Sequence, residues 1–500
     1  MRKSSRNLII IAFHKFKVKN MSIWRKKPVE AYHADANKSE LNRVLTRWGL
    51  TSLGIGAIIG GGIFTLTGIA AHDHAGPALA LSFIIAGIGC LFASLCYAEF
   101  ASVLPVEGSA YAYAYGTIGE LFAWFIGWNL ILEYMMGATT VAVAWSGYFN
   151  KLLHLFNIHI PDYLTNDPVS HGGPSFNLLA FLITWVITAI LVKGIKEAAK
   201  TNNIIVVLKV AVVLFVIFAG AFFVDPANWT PFIPAETPIL DALGNPTGEV
   251  NFGFGGVLTA ATIVFFAYIG FDAVSTQAGE AINPKKDVPF AIIASLVICT
   301  LLYIAVSLVL TGMVPYTNLD LKAPVASAFE GAGITWAVYL ITIAATAGLM
   351  SVMLVMMLGQ TRIFLGMSKD GLLPYNIFGK LHPTFKTPYR STILVGFIIS
   401  LVSALTPINT VSEMCSMGTL LAFAMVCVAV LILRVKQPNL DRPYKTPFLY
   451  FVAPAGALFN VFLMSYVRAH TWYAFLIWGA VGILVYFLYS RRNSHLHPKP

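Results

Sequence analysis

Five glycines interrupt an apolar run that is long enough to cross a lipid bilayer. The run covers residues 48–71, and the glycines fall within residues 54–64, three of them in succession. Each glycine inside a helix costs about 1 kcal/mol relative to alanine. In hydrocarbon, the backbone groups that a break exposes must find partners inside the protein or in a wet cavity. The run therefore predicts either a membrane helix broken at a polar binding site or a close contact between helices through small residues.

A broken helix offers two kinds of backbone group to a ligand. The N-terminus of the second half presents N–H groups to an anion, and the opened carbonyl groups accept hydrogen bonds from a cation. A free amino acid carries both charges. A second interruption is predicted within residues 264–272, where Gly270 lies between aromatic residues. Two breaks five spans apart indicate an inverted repeat, and facing breaks would form one site near the membrane midplane.

The rest of the chain has the composition of an integral membrane protein. Of its 500 residues, 57% are hydrophobic and 11% are charged. This composition excludes a series of soluble domains. A window of about 19 residues predicts twelve spans along the chain. They are residues 48–71, 78–104, 120–150, 177–193, 201–223, 254–279, 288–313, 332–367, 390–405, 410–434, 447–467 and 471–490.

The basic residues are distributed unequally between the loops. If the N-terminus is inside, 29 of the 33 Lys and Arg residues lie in inner segments, and only Lys151, Lys322 and Arg468 lie in outer loops. This asymmetry predicts that both termini are cytoplasmic. The net charge of +10 follows from topology, so no nucleic-acid partner is predicted. The five cysteines lie in apolar spans without a CxxC pair or a Cys/His cluster, so neither a disulfide framework nor a metal site is predicted.

Three ionisable residues in or beside the spans are candidates for function. Glu99, near the end of the second span, forms a structural ion pair or caps a neighbouring segment. Glu133, in the third span, attracts a cationic substrate group, takes part in proton movement or hydrogen-bonds a broken helix. Lys209, in the middle of the fifth span, contacts carbonyl groups of an unwound helix where a sodium ion would otherwise bind, changes its protonation during a cycle, or forms an ion pair with Glu133 or Glu99.

The eighth span is rich in methionine, with Met350, Met353, Met356 and Met357. Methionine packs adaptably and supplies no strong acceptor for a long cation. We therefore expect small or medium neutral L-amino acids such as alanine to be preferred over arginine. Met353 is the predicted pocket residue, with Met350 as its rival, and Met353→Ser is expected to open a path toward Glu133.

Five motifs resemble the cationic amino-acid transporter branch of the amino acid–polyamine–organocation superfamily, bacterial twelve-span type. The resemblance covers about residues 40–490, and five motifs in the family's order are specific where a single glycine run is not. The motifs are GIGAIIGGGIF at 54–64, CYAEFASVLPVEGSAYAYAYGTIGE at 96–120, WNLILEY at 128–134, FFAYIGFDAVSTQAGEAINPKKDVP at 265–289 and GQTRIFLGMSKDGLLP at 359–374.

The resemblance implies an all-α membrane protein of twelve transmembrane helices. Its fold is expected to be leucine-transporter-like, a five-plus-five inverted repeat with discontinuous helices 1 and 6. The expected parts are a cytoplasmic N-terminal segment at 1–46, of which 1–20 is an extension before Met21, a core at 47–434, two peripheral helices at 435–490 and a cytoplasmic tail at 491–500. Within the core, the repeats cover about 47–223 and 254–434.

The resemblance also implies roles for individual residues. The substrate carboxylate is expected on the amides of Gly60, Gly61 and Gly62, where relatives often carry threonine or alanine at the middle position. Phe271 matches an aromatic residue that closes the site from outside. Lys209 matches the lysine that replaces sodium in proton-linked members, and Glu99 matches the glutamate of the CYxEF motif. The α-amino group is expected on carbonyls near Ile58, Ile59, Phe266, Ala267 and Ile269.

The functional hypothesis is a secondary active amino-acid permease in the bacterial inner membrane. It is expected to take up L-amino acids by alternating access, coupled to protons and independent of sodium, without a cofactor. Its expected partners are the amino acid, protons, the lipid bilayer and a small single-span membrane subunit. The alternative is an amino-acid sensor that uses the same pocket without net transport, which the short C-terminal tail disfavours. A membrane enzyme is disfavoured because no nucleophile–base pair or metal motif lies in a span.

Overall fold

The computed structural model describes residues 25–26, 45–103, 109–171, 173–194, 198–240, 246–276 and 281–496. The described part of the chain consists of helices, short helical turns and one antiparallel hairpin. The predicted N-terminal extension at 1–20 and Met21 lie outside the described residues. The helices of the first half are α1 Arg47–Ile58, α2 Leu79–Val103, α3 Ser109–Thr117, α4 Glu120–Leu155, α5 Leu178–Lys193 and α6 Ala198–Gly220.

The second half begins with the hairpin and continues with eight helices that the site and the termini use. Strand β1 is Thr237–Leu240 and strand β2 is Pro246–Asn251, and they pair antiparallel. The helices are α7 Gly253–Val264, α8 Pro284–Met313, α9 Pro324–Gly331, α10 Thr335–Lys369, α11 Tyr389–Leu405, α12 Ile408–Lys436, α13 Leu449–Met464 and α14 Ala469–Val485.

Most of these helices have the length and composition of membrane spans. In the described part of the chain, eight helical segments are long and apolar enough to cross a membrane, and α5, α11 and α13 are shorter apolar helices. The chain is therefore a mostly helical, multi-pass membrane protein. The number of twelve spans and the inverted repeat remain predictions from the sequence.

The first span is interrupted at its glycines. Helix α1 ends at Ile58, and Ile59 is extended with φ −70° and ψ 105°. A π-helical turn then begins at Gly62 and ends at Leu66. The chain continues through short helical turns to Ala75 and then enters α2 after Gly76, which has φ +58°. The glycine-rich segment thus separates two half-helices.

The sixth span is interrupted in a similar way. Helix α7 ends at Val264, one 3₁₀ turn covers Phe265–Tyr268, and Ile269 is extended with ψ 132°. Gly270 follows with φ +124°, a backbone conformation that glycine adopts without strain. The second interruption therefore lies immediately after Tyr268.

Helix α14 is fastened to α4 by tryptophan side chains. The rings of Trp128 and Trp478 stack with centroids 4.5 Å apart, and Trp128 Nε1 donates to the carbonyl of Trp478 at 2.9 Å. Trp124 Nε1 donates to the carbonyl of Gly482 at 2.9 Å. Much of the remaining α14 surface is apolar and exposed, as for Ile477. The last helix is thus firmly attached to the core along one face.

The described parts of the two terminal segments meet at the start of α4. Glu120 is fully buried, and its carboxylate accepts hydrogen bonds from Tyr486 Oη at 3.2 Å, from Tyr115 Oη at 3.3 Å and from Ser494 Oγ. Its backbone N–H donates to the carbonyl of Arg25 at 2.8 Å. We call this side of the molecule the terminal face, and the other side the opposite face.

Candidate functional site

The two helix breaks contact each other through glycine. A Cβ atom on Gly62 would lie 2.3 Å from both Cα and Cβ of Ala267. A Cβ atom on Gly270 would lie 2.9 Å from the carbonyl carbon and oxygen of Ala57. Atoms cannot approach so closely, so each break requires glycine where it meets the other. The structure therefore brings together the two interruptions that lie about two hundred residues apart in the sequence.

Backbone amides of the first break point to an anion site. The N–H groups in the first turn of a helix have no acceptor inside that helix, and the helix dipole favours a negative charge there. Gly60, Gly61 and Gly62 precede and begin such a turn, and all three are buried. A Cβ atom on Gly61 would make only ordinary contacts, the nearest at 3.5 Å from Ala144 Cβ. On Gly60 it would lie 3.0 Å from Val352 Cγ2, so α10 forms a wall of this region.

A tyrosine that the sequence analysis did not single out connects the breaks through their carbonyl groups. Tyr303, on α8, is fully buried. Its hydroxyl lies 2.9 Å from the carbonyl oxygen of Ile58 and 3.0 Å from that of Ala267. One hydroxyl proton is shared between two acceptors, each with a spare lone pair. These two carbonyls are among those expected to hold the α-amino group. The only signal in the sequence is a tyrosine within an apolar span.

Lys209 lies beside the same break and is fully buried. Its Nζ donates to the carbonyl of Gly56 at 2.5 Å and to that of Ile59 at 3.0 Å. An ammonium group thus occupies a place where backbone oxygens would suit a metal cation. Among the described residues, no group of three or more His, Cys, Asp or Glu side chains could hold a metal ion. The contacts match the predicted interaction with carbonyls of an unwound helix rather than an ion pair with Glu133 or Glu99.

Gly348, on α10, makes space for Lys209. A Cβ atom at this position would lie 2.6 Å from Cδ and 2.8 Å from Cγ of the lysine. The aliphatic part of Lys209 therefore passes directly over Gly348 on its way to the break. The sequence analysis missed this role because a single glycine in a long apolar helix has no local signature.

The carbonyls of the second break have mixed surroundings. That of Phe266 accepts from the N–H of Ile269 at 3.2 Å within the turn. That of Ala267 accepts from Tyr303. Each carbonyl oxygen has two lone pairs, so neither contact prevents a further hydrogen bond.

Glu133, on α4, is buried without a hydrogen-bond partner. Its exposure is 1%, and neither carboxylate oxygen accepts a hydrogen bond from another described residue. The next residue, Tyr134, donates from its hydroxyl to Oδ2 of Asp272 at 3.1 Å, immediately after the second break. Cys415 on α12 directs its thiol to the backbone carbonyl of Glu133 at 3.1 Å. The side chain of Glu133 thus remains available to a proton or to a cationic group.

Gly137 lies one helical turn from Glu133 and borders the second break. A Cβ atom there would lie 3.5 Å from Met356 Sδ and from Cys415 Sγ, and 4.0 Å from Phe266 Cε2. Met353, the residue predicted for the pocket, is fully buried on the same helix, and Met350 is partly buried. The methionine in contact with this wall is therefore Met356. It lies closer to the level of Glu133 than Met350 or Met353 does.

Phe271 lies on the terminal-face side of the second break. Its ring contacts Tyr97, with centroids 5.9 Å apart, and Phe423, with centroids 5.0 Å apart. Phe266 instead reaches the first break, where its Cε1 would be 3.8 Å from a Cβ atom on Gly61. Because chain direction places Phe266 before the break and Phe271 after it, the surroundings favour Phe266 over Phe271 as the aromatic residue that covers the site from the opposite face.

Glu99 is part of a closed polar cluster. Its carboxylate accepts from Arg434 Nε at 3.1 Å, from Arg434 Nη2 at 2.5 Å and from the N–H of Thr446 at 2.8 Å. Arg442 Nε lies 3.3 Å from the same carboxylate. Burial lowers the pKa of the Arg442 guanidinium, and Glu99 acts in the opposite direction. This environment supports the structural ion pair, which joins α2 to the end of α12.

Comparisons with known proteins agree in their class. The family model described as "Amino acid permease" matches residues 45–488. The chain is 45% identical to the methylthioribose transporter of Bacillus subtilis, over 95% of this chain and 99% of the relative. It is also 45% identical to a branched-chain amino acid permease of Bacillus subtilis, with the same coverage. A vacuolar cationic amino acid transporter of Arabidopsis thaliana is 36% identical over 84% of this chain and 68% of the relative.

Proposed function

This chain belongs to the amino acid permease family, and we propose that it is a secondary active transporter that takes up L-amino acids by alternating access. The observation that carries the proposal is the contact between the two breaks, which places free amides and carbonyls at one buried point. Under this proposal the terminal face is cytoplasmic, in agreement with the distribution of Lys and Arg. The protein lies in a bacterial inner membrane.

The substrate is recognised by its head groups. The carboxylate accepts hydrogen bonds from the amides of Gly60, Gly61 and Gly62, at the start of a half-helix. The α-ammonium donates to the carbonyls of Ile58 and Ala267 and displaces or shares the hydroxyl of Tyr303. Ile59, Phe266 and Ile269 supply the neighbouring backbone of this site. Binding of both head groups therefore holds the two breaks together.

Coupling is carried by Lys209, which takes the position of a sodium ion at the carbonyls of Gly56 and Ile59. We propose that uptake is independent of sodium and is driven by an inward proton gradient. Loss of a proton from Lys209 would weaken its hold on the first break, because only the ammonium carries a full positive charge to the two carbonyls. A change at Lys209 is thereby linked to movement of α1.

The side-chain part of the pocket favours small or medium neutral amino acids. Phe266, Met356 and Leu349 contribute apolar surface near the breaks, and moving a guanidinium into such surroundings is unfavourable without a reachable carboxylate. Glu133 lies behind Met356 from the site. The branched-chain relative has a neutral substrate by its name, in line with this preference, while the cationic transporters are more distant.

The experiment is uptake of labelled alanine, leucine and arginine into proteoliposomes with and without an inward proton gradient, in sodium or in choline buffer. We expect gradient-stimulated uptake of alanine in both buffers. Lys209→Ala should lower this uptake at least about tenfold, equivalent to about 1.4 kcal/mol. Lys151→Ala, at the opposite face, is the matched control and should retain it. Full gradient-driven uptake by Lys209→Ala would contradict the coupling proposal, and binding without any uptake would favour a sensor.

One relative makes a second substrate class a specific alternative. Methylthioribose has neither a carboxylate nor an α-amino group, and its transporter in Bacillus subtilis is as similar to this chain as the branched-chain permease. If the breaks bind amino-acid head groups, methyl esters and N-acetyl amino acids should fail to compete with alanine. Competition by methylthioribose at the strength of alanine would instead favour a thioether sugar as substrate.

A further inference from the structure

A second polar cluster lies at the opposite face, away from the breaks. Its centre is Glu413, near the start of α12, with an exposure of 2%. Oε2 of Glu413 accepts from Thr471 Oγ1 at 2.7 Å, and Arg468 Nε lies 3.7 Å from Oε1. His470 Nε2 lies 3.9 Å from Oε2. This buried carboxylate is therefore surrounded by groups at the beginning of α14.

The same arginine also contacts the first span. Arg468 Nη2 lies 3.2 Å from Nε2 of His74, in the helical turn Ala71–Ala75. A guanidinium has donors only, so Nε2 of His74 must be the acceptor and the imidazole is neutral in this contact. His74 is 1% exposed. Arg468 thus bridges a carboxylate on α12 and a neutral imidazole at the end of the first span.

His74 is in turn joined to the sixth span. Its carbonyl accepts from the N–H of Phe252 at 2.8 Å, immediately before α7. A Cβ atom on Gly256 would lie 2.3 Å from the same oxygen. The outer halves of the two broken spans are therefore fastened together at this face, while α14 is fastened to α4. Arg468 connects these two bodies, which must separate if the site between the breaks is to open toward this face.

We propose that Arg468, Glu413 and His74 form an outer lock, which keeps the site closed to the outside while His74 is neutral and is released when an external proton binds His74. Protonation occupies the lone pair on Nε2 and places an imidazolium beside a guanidinium, so that a hydrogen bond becomes a repulsion. The position outside the membrane rests on the orientation proposed above. The lock adds a step before substrate binding, in which external acid admits the substrate.

The surrounding charges determine which side of the lock moves. Glu413 continues to attract Arg468 after His74 is protonated, because their charges remain opposite. Release should therefore displace His74 and the two outer half-helices, and leave Arg468 on α12. The other titratable groups facing the cluster are His72 and Asp73 on the same turn, which pair with each other at 2.6 Å, His470 on α14, and Glu236 beside the start of α7.

The test is the labelling of a cysteine between the lock and the first break. Thr65 lies there with 2% exposure. Thr65→Cys is treated from outside, in cells that express the full chain, with a maleimide that does not cross membranes. The native cysteines are buried, and the parent protein measures their background. Each rate is divided by that of Ser170→Cys, an exposed position, because this cancels the change of thiolate fraction with pH.

With the lock intact, the relative rate should rise at least about fivefold between about pH 7.5 and about pH 5. His74→Gln keeps an acceptor that cannot be protonated in this range, so its rate should stay low at both values. Arg468→Gln should be labelled rapidly at both. Lys151→Gln removes a different ion pair at the same face, with Glu330, and should behave like the parent.

A rise with acid that persists in His74→Gln would overturn the proposal, and so would an Arg468→Gln rate equal to that of the parent at neutral pH. His74→Gln decides the matter if Arg468→Gln does not fold, because it leaves Glu413 paired. The labelling needs no substrate. Failure of the lock is therefore distinguishable from failure of the proposed uptake.

Discussion

Glu99 and Glu133 are two buried carboxylates on consecutive spans, and their surroundings are opposite. Glu99 is held by two arginines and a backbone amide, whereas the carboxylate of Glu133 accepts no hydrogen bond from the described residues. A paired carboxylate joins helices, and breaking the pair is costly. An unpaired one lowers stability and is expected where a proton or a ligand binds. Burial alone thus does not distinguish a structural acid from a functional one; the partners do.

The same contrast applies to the contacts around them. The Glu99 cluster is made of charged side chains with few free positions left. The break region is made of backbone carbonyls contacted by Lys209 and Tyr303, and each carbonyl keeps a second lone pair. The first arrangement is suited to permanence. The second is suited to exchange of one donor for another during a transport cycle.

The largest expected effect is on stability. Glu99→Gln should lower the free energy of unfolding by about 3–5 kcal/mol, because it leaves two buried guanidinium groups without their counter-charge. Glu133→Gln is the matched change and should lower it by less than about 1 kcal/mol, because no partner is lost. Thermal unfolding of both purified variants in detergent measures the difference. Equal destabilisation would break the comparison.

The next effect distinguishes two adjacent glycines of the first break. Gly62→Ala forces a Cβ atom against Ala267 and should cost about 1–3 kcal/mol, with loss of alanine binding. Gly61→Ala meets only ordinary contacts and should change the affinity for alanine less than about twofold, well under 1.4 kcal/mol. Binding of labelled alanine to the purified proteins tests this. Strong loss of binding in Gly61→Ala would show that the site needs more room there than the structure indicates.

A smaller effect is expected from the hydroxyl that connects the breaks. Tyr303→Phe leaves the carbonyls of Ile58 and Ala267 without this donor, so a bound α-ammonium should gain about 1 kcal/mol, or about fivefold in affinity. Tyr268→Phe, which removes a buried hydroxyl from the carbonyl of Phe83, is the control and should leave the affinity unchanged. Calorimetric titration with alanine measures both. An unchanged affinity in Tyr303→Phe would remove the tyrosine from the substrate site.

The smallest effect concerns access to Glu133. Met356→Ser should allow arginine to compete with alanine, with a gain of about tenfold or less for one shortened side chain. Met353→Ser, the change expected from the sequence, should have the lesser effect because Met356 contacts the wall at Gly137. Adding Glu133→Gln to Met356→Ser should abolish the competition. A larger gain in Met353→Ser would restore the original assignment.

The sequence alone determined the class of the protein, the positions of the breaks and the importance of Lys209. These features are local: a glycine run within an apolar span, a charge in hydrocarbon and the asymmetry of the loops follow from neighbouring residues and from the physics of the bilayer. The family motifs are also contiguous stretches, and the match over residues 45–488 agrees with them.

Only the tertiary structure decided which partners each of these residues has. Tyr303 lies 245 positions from Ile58, and Gly348 is equally remote from the break that it serves through Lys209. The arginines that pair with Glu99 come from the end of α12 and the segment after it, and no equivalent reaches Glu133. Phe266 and Phe271 stand five residues apart, but the turn between them sends their rings to different sides of the break. Such contacts depend on how helices pack, and the periodicity of a single helix carries no record of the side chains that a distant helix presents to it.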